Sequence, residues 1–336
     1  MNLRCVVVAL LLHPILANAQ TDPAELHPGV VRPVLNPAVD IANAPLAERQ
    51  QAMAQLNRVL AALQHAPALS APVGYDVSFR RSLHFEGRAE PMQGGISAIL
   101  FLYEKDQDTG KLVPGEEGPG LGVNINEPFG CVFADYHQPY MEDDSGRVYF
   151  EPKPDGTEHG YPHYPNSAAG GCTLVSSINR PLWLPVSRER VLKPMIEKQR
   201  AGLVEVRDMI ARLKVSLPNG VPADVATQLK EQETRIHALE AEFAAMSPAE
   251  RASQAYFWPD SHGLTPIVGA GHEGATALVA PNPAYLAGTP RTAIQTVSLW
   301  LDMPETYQWY TPFKGQIFQK IRDGLDWDAL AALVRK

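Results

Sequence analysis

Basic charge is in short supply in this 336-residue sequence: 29 Lys and Arg stand against 37 Asp and Glu, a formal net charge of −8 at pH 7. Nucleic-acid binding calls for a basic surface that releases counterions, so this balance argues against a nucleic-acid partner. Long apolar runs are also missing. Beyond the first twenty residues no window approaches the roughly 18 uninterrupted apolar residues of a membrane span.

Chemical motifs are equally scarce. Ser261 lacks the Gly-x-Ser-x-Gly elbow of a serine hydrolase. Gly118-Pro119-Gly120-Leu121-Gly122 follows acidic Glu116 and Glu117 and leads into a strand pattern, so no helix N-terminus is there to take a phosphate. Asp106, Asp108 and Glu117 have the outer spacing of a calcium loop. Gly110 replaces a ligand, however, and Lys111 stands where the loop needs glycine, so a hairpin turn is the better reading. No internal repeat is present, which argues against a solenoid or propeller.

What the chain has in excess is proline: 30 residues, about twice the usual share, favouring turns, edges and loops. With 45% hydrophobic residues it can bury enough surface to offset its ordering entropy, so disorder is excluded as the main state. The first residues read as an export signal. Arg4 precedes an apolar run over residues 6–12, extended by Ile15 and Leu16, and Ala17-Asn18-Ala19 offers small residues where a signal peptidase cuts. Residues 1–19 are therefore expected to be a signal peptide cleaved after Ala19, leaving a protein in the periplasm or medium. Cys5 leaves with that segment and lies ahead of the apolar run, where no lipid anchor is attached. Cys131 and Cys172 remain, and a pair in an oxidising compartment predicts one disulfide. The alternative reading makes Cys172 a nucleophile, which needs an activating base.

Residues 20–42 lack periodicity and read as an extended leader or linker. Apolar residues from Leu46 to Leu63 recur at three- and four-residue steps, predicting a helix from Pro45 to about Gln64. Strands are then expected over residues 74–85, 96–104, 121–133, 147–150 and 172–176, with Asp/Gly turns at 106–110 and 143–146 making antiparallel hairpins. Leu192, Ile196, Leu203, Val206 and Ile210, and then Val225, Leu229, Ile236, Leu239 and Phe243, form two seams across a turn at Pro218-Asn219-Gly220. They predict an antiparallel helical hairpin. Ser247-Pro248-Ala249-Glu250 is a capping box, residues 276–279 and 291–301 resume β pattern, and Thr311 and Asp326 cap two last helices. The expectation is an α+β fold: mainly antiparallel sheet with an N-terminal helix, an inserted helical hairpin and C-terminal helices. Its domain would be discontinuous, 43–186 plus 255–336, with the hairpin insertion at 187–254.

The densest polar and aromatic segment is 133–164. Tyr136, His137, Tyr140, Tyr161 and Tyr164 are its candidate ligand-binding residues, for an envelope carbohydrate or peptide. His137, His159 and His163 are candidate metal ligands, although Gly160 and Pro162 keep the last two off a shared helical face. A bland alternative is a proline-rich loop whose rings pack on the sheet. Trp258, Asp260, His262, His272 and Glu273 form a second cluster with either acid-base or ordinary loop chemistry. No cofactor is expected. The leading expectation is an exported, non-catalytic binding or interaction protein of the cell envelope, with the helical hairpin as a contact for a protein partner or a second copy. The alternative is a secreted hydrolase, with or without a metal, using segment 133–164.

Overall fold

A computed structural model describes residues 22–34, 38–40, 44–85, 91–116, 118, 120–133, 138–165, 171–216, 223–261, 264–301 and 311–334. Its larger sheet draws strands from both halves of the chain: β1 (Ala38–Asp40), β2 (Tyr75–His84), β3 (Gln93–Lys105), β4 (Leu112–Pro114), β5 (Gly120–Ile125), β8 (Gly156–Glu158), β9 (Tyr161–Tyr164), β10 (Cys172–Ser176) and β15 (Thr296–Trp300). In space they run β1-β2-β3-β5-β15-β10-β9-β8, with β4 paired to β3. Only β1 on β2 is parallel among these pairings.

Alternation along these strands sends Val77, Phe79 and Leu83, Ile96 and Leu100, Val123 and Ile125, and Val297 and Leu299 to one side. Four helices bury that side: α1 (Leu46–Gln64), α2 (Pro67–Ser70), α7 (Pro312–Gly324) and α8 (Trp327–Val334). Leu56, Val59 and Leu63 of α1 are fully buried, as their three- and four-residue spacing demands. The Thr311 side chain caps α7 by accepting from the Lys314 amide, and Asp326 accepts from Ala329 at the head of α8.

A smaller sheet holds β6 (Met141–Asp143), β7 (Gly146–Phe150), β11 (Trp183–Pro185), β12 (Tyr256–Phe257), β13 (Ile267–Val268) and β14 (Thr276–Pro281). Its order is β13-β12-β14-β7-β6, with β11 also on β14. Both faces of β14 are buried, which is why its sequence is apolar without alternation. Leu278 and Ala280 meet the start of α4 (Arg188–Ser216) and the end of α5 (Ala223–Ala245) through Val191, Leu192, Ile196 and Leu239. Val279 faces the other way, into a core between the two sheets with Tyr149, Leu174 and Tyr285.

The helical hairpin is α4 and α5, with Leu203, Ile210 and Ile236 buried at the seam and Arg200–Glu240 and Arg207–Glu233 pairs along its side. Arg190 at its start clamps the β6–β7 turn, bonding both Asp143 oxygens and the Gly146 carbonyl. That guanidinium holds the Asp143 carboxyl below the usual carboxylate range. Ser247 and Glu250 form the expected capping box on α6 (Pro248–Ala252).

Three stretches differ from the sequence reading. The strand expected over residues 121–133 stops at Ile125, because Asn126 takes φ +59° and Pro128 starts one turn of helix, α3 (Pro128–Val132). The segment between the cysteines is no plain loop. Its described part holds the expected hairpin on the Asp143–Gly146 turn, β6–β7, and an unexpected one, β8–β9, turning on His159 and Gly160, both at positive φ. In the region read as an extended leader, a 3-10 turn at Pro23–Leu26 is followed by a described stretch laid along the edge of β2. Val31 bridges Val77 in parallel, Pro28 bridges Val73, and β1 continues on residues 82–84.

Candidate functional site

One open cleft lies where β7 ends. Its floor is built from the disulfide outward. Cys131 on α3 bonds Cys172 on β10 with Cα atoms 5.4 Å apart, and both residues are fully buried. That bond engages the Cys172 sulfur, so the nucleophile reading of this residue is withdrawn. Phe133 leaves α3 just beyond and stacks on Tyr149 of β7, with ring centroids 4.3 Å apart and planes within 17°. Trp183 tilts against the same Phe133 ring and donates its indole N–H toward Glu151 at 3.4 Å.

One residue on, alternation turns Phe150 to the opposite face of the sheet. There Phe150, Tyr140 and Phe257 pack mutually at 5.3–5.6 Å with interplanar angles of 60–66°, the edge-to-face geometry aromatic rings favour. Burial pushes the Tyr140 hydroxyl above its ordinary pKa. Around the end of β7 these groups enclose a cleft of about 450 Å³, walled by Phe133, Tyr140, Tyr149 and Phe150 with Pro139, Pro152 and Pro165. Gln138, Glu151 and Lys153 are its polar lining. Phe150 is 43% exposed, a large apolar ring left in solvent at the cleft wall.

Of the residues singled out from sequence, Tyr140 lines this cleft. Tyr164 is buried in the core between the sheets, and burial raises its pKa. Tyr161 sits across the larger sheet, stacked against Trp327 of α8 at 6.3 Å. His159 stacks on the same indole at 4.9 Å, while His163 bonds Asp155 at 2.6 Å. Tyr136 and His137 lie outside the described residues, as does His262. Among the described residues no group of three His, Cys, Asp or Glu side chains is placed to hold a metal ion. His272 is tilted against Trp258 at 4.8 Å, and Ser261 donates to the Thr265 carbonyl.

The sequence reading missed Lys153 and Phe257 as members of this site. Lys153 carries no motif. Phe257 comes from β12, and only the antiparallel pairing of β12 and β7 on either side of β14 brings its ring to Phe150. Chemically, the cleft offers flat apolar walls, one amine, one carboxylate held by an indole, and one amide. No nucleophile paired with a base occurs among its described lining residues. Among the described residues, no helix is long and apolar enough to cross a membrane. No protein-family model matches this chain, and no curated protein or solved structure matches it either.

Proposed function

We propose that this is an exported, non-catalytic binding protein of the cell envelope, and that the cleft at the end of β7 is its ligand seat. The observation that carries the reading is the cleft itself, about 450 Å³ of mainly aromatic and proline wall anchored beside a buried disulfide. Open apolar concavities with a few convergent polar groups are where proteins seat ligands. Walls of Tyr, Phe and Pro suit an extended, proline-rich peptide segment, whose rings pack between aromatic side chains and whose backbone loses little entropy on docking. Gln138, Glu151 and Lys153 supply the polar contacts that would fix its direction.

Export is supported by the N-terminal signal pattern and by the Cys131–Cys172 bond, since disulfides persist in oxidising compartments. The test is a titration of the purified protein against an array of proline-rich peptides and a parallel array of neutral oligosaccharides, repeated with Phe150→Ala. Saturable peptide binding that the substitution abolishes is the expected result. Binding to oligosaccharides alone, or peptide binding indifferent to Phe150→Ala, would overturn the assignment.

A further inference from the structure

The Asp143–Gly146 turn zips β6 to β7 only as far as the pair Met141 and Val148. Beyond that pair the two chains part around the cleft, with residues 138–140 on one side and residues 149–153 on the other. The register shows what the parting leaves open. Peptide groups along a strand alternate between its two edges, and the Glu151 amide donates to the Ala277 carbonyl beside β14 at 2.8 Å. Phe150 therefore turns its N–H and C=O to the other edge, towards β6. The register that pairs Met141 with Val148 puts Pro139 opposite Phe150. Proline has no N–H, so the Phe150 carbonyl cannot receive the ladder bond that this position would supply. Among the described residues, no main-chain bond joins Phe150 to Pro139 or its neighbours.

Phe150 thus stands at an open ladder position inside the cleft, and the same alternation sorts the rings around it. Phe150 and Tyr140 meet on one face of the sheet, 5.4 Å apart, while Tyr149 and Phe133 stack on the other. A chain lying in the plane of the sheet at this point would have aromatic surface on both sides.

Taking the cleft as the ligand seat, we propose that it holds an extended peptide by its main chain, one ligand residue filling the ladder place that Pro139 cannot. That residue donates its N–H to the Phe150 carbonyl and accepts from the Phe150 amide. Strand addition of this kind draws affinity from backbone bonds and specificity from the alternate side chains. The ligand runs antiparallel to β7, as β6 does, because only in that sense does one residue exchange both bonds with Phe150. Its side chain lies on the Phe150 and Tyr140 face, since directly paired residues share a face. The residues before and after it turn their nitrogens away from β7, where proline is tolerated, and their side chains towards Phe133 and Tyr149. The ligand class is therefore a proline-rich segment broken by a residue with a free N–H, Pro-x-Pro, rather than unbroken polyproline.

Three capped pentapeptides titrated into the full exported chain test this: Pro-Pro-Ala-Pro-Pro, the same peptide with N-methylalanine at its centre, and all-proline. The first is expected to bind at least about tenfold more tightly than the other two, the loss expected when a buried backbone bond is left unmade. Hydrogen exchange at the Phe150 amide should slow when the first peptide is added. Equal binding of all three, still removed by Phe150→Ala, overturns main-chain pairing and leaves the cleft as the ligand seat. Exchange at the Phe150 amide that stays the same in saturating Pro-Pro-Ala-Pro-Pro overturns the pairing as well. Binding by none of the three, nor by any longer proline-rich peptide, overturns the pairing and the cleft assignment together.

Discussion

Arg32 in the leader reaches across the edge of the larger sheet to Asp76 of β2, its Nη2 3.1 Å from Oδ2, with its guanidinium carbon 3.9 Å over the Phe101 ring. The same carboxylate accepts from the Val30 amide and the Tyr103 hydroxyl, each at 2.9 Å. Arg32 N–H donates to the Val77 carbonyl, and the Val77 amide donates back to Val30. One buried acid thus ties the leader to the sheet edge, covering backbone groups that would otherwise invite pairing with another chain.

Burial alone would raise the Asp76 pKa, but the bonds from Val30, Tyr103 and Arg32 outweigh it and hold the carboxyl below its ordinary value. A folded pKa below the unfolded one, about 4, means that the contribution is complete above that pH. It is lost as pH falls through the folded pKa. The protection factors of the Val30 and Arg32 amides, corrected for intrinsic exchange, should therefore fall on acidification ahead of those in α1. Asp76→Asn should give the same local release at neutral pH and cost about 2 kcal/mol in denaturant unfolding. Unchanged protection of those amides in the variant would contradict this role.

Asn126 is predicted to be the least replaceable polar residue of the larger sheet. It is buried at φ +59°, its amide nitrogen donates to the Met92 and Ala293 carbonyls, and its oxygen accepts from the Gln295 and Thr296 amides. Asn126→Ala removes the side-chain partner of four backbone groups and puts a residue less tolerant than asparagine in the left-handed region, so a loss of at least ~3 kcal/mol is expected. Asn126→Gly relieves only the backbone strain and should recover about 1 kcal/mol of that, as thermal melts of the pair would show.

Opening the disulfide should destabilise without removing the fold's main core, which lies on the other side of the larger sheet. The Cys131–Cys172 bond spans 41 residues of sequence. Loop-closure entropy for a span of that size predicts a stabilisation of about 4 kcal/mol. A Cys131→Ser, Cys172→Ser double variant should melt lower by that free energy and should bind cleft ligands less well, because Phe133 hangs from the same turn of helix. An equal melting temperature in oxidised and reduced protein would count against the bond as a staple.

Phe150 and Phe133 divide the cleft into a working wall and a structural floor. Truncating the exposed Phe150 to alanine should cost less than about 1 kcal/mol of stability while lowering peptide affinity at least tenfold. Phe133→Ala removes a ring buried at 3% exposure and should cost ~3–5 kcal/mol as well as binding. Denaturant unfolding and peptide titration on the two variants separate these effects.

Local chemistry made much of the architecture readable. The helices announced themselves through three- and four-residue apolar spacing and through caps at Ser247, Thr311 and Asp326, since capping and burial act within a turn or two of the chain. The Asp106–Gly110 hairpin was equally plain, with Asp106 accepting from both the amide and hydroxyl of Thr109. The β8–β9 hairpin escaped because a His-Gly turn is a weak form of the Asn-Gly signal. Segment 133–164 stood out by composition, yet composition could not say that Tyr140 would face the cleft while Tyr161 and Tyr164 would not.

By itself, then, the sequence determined the class of fold, the Cys131–Cys172 pairing and the two long helices, because periodicity, capping and a small set of cysteines are properties of the chain alone. Tertiary structure decided which strands share a sheet, that the leader lies on β2, and where an open aromatic cleft forms. Those depend on contacts between residues far apart in sequence, such as Phe150 with Phe257 and Arg32 with Asp76, whose meeting is fixed only when the sheets close.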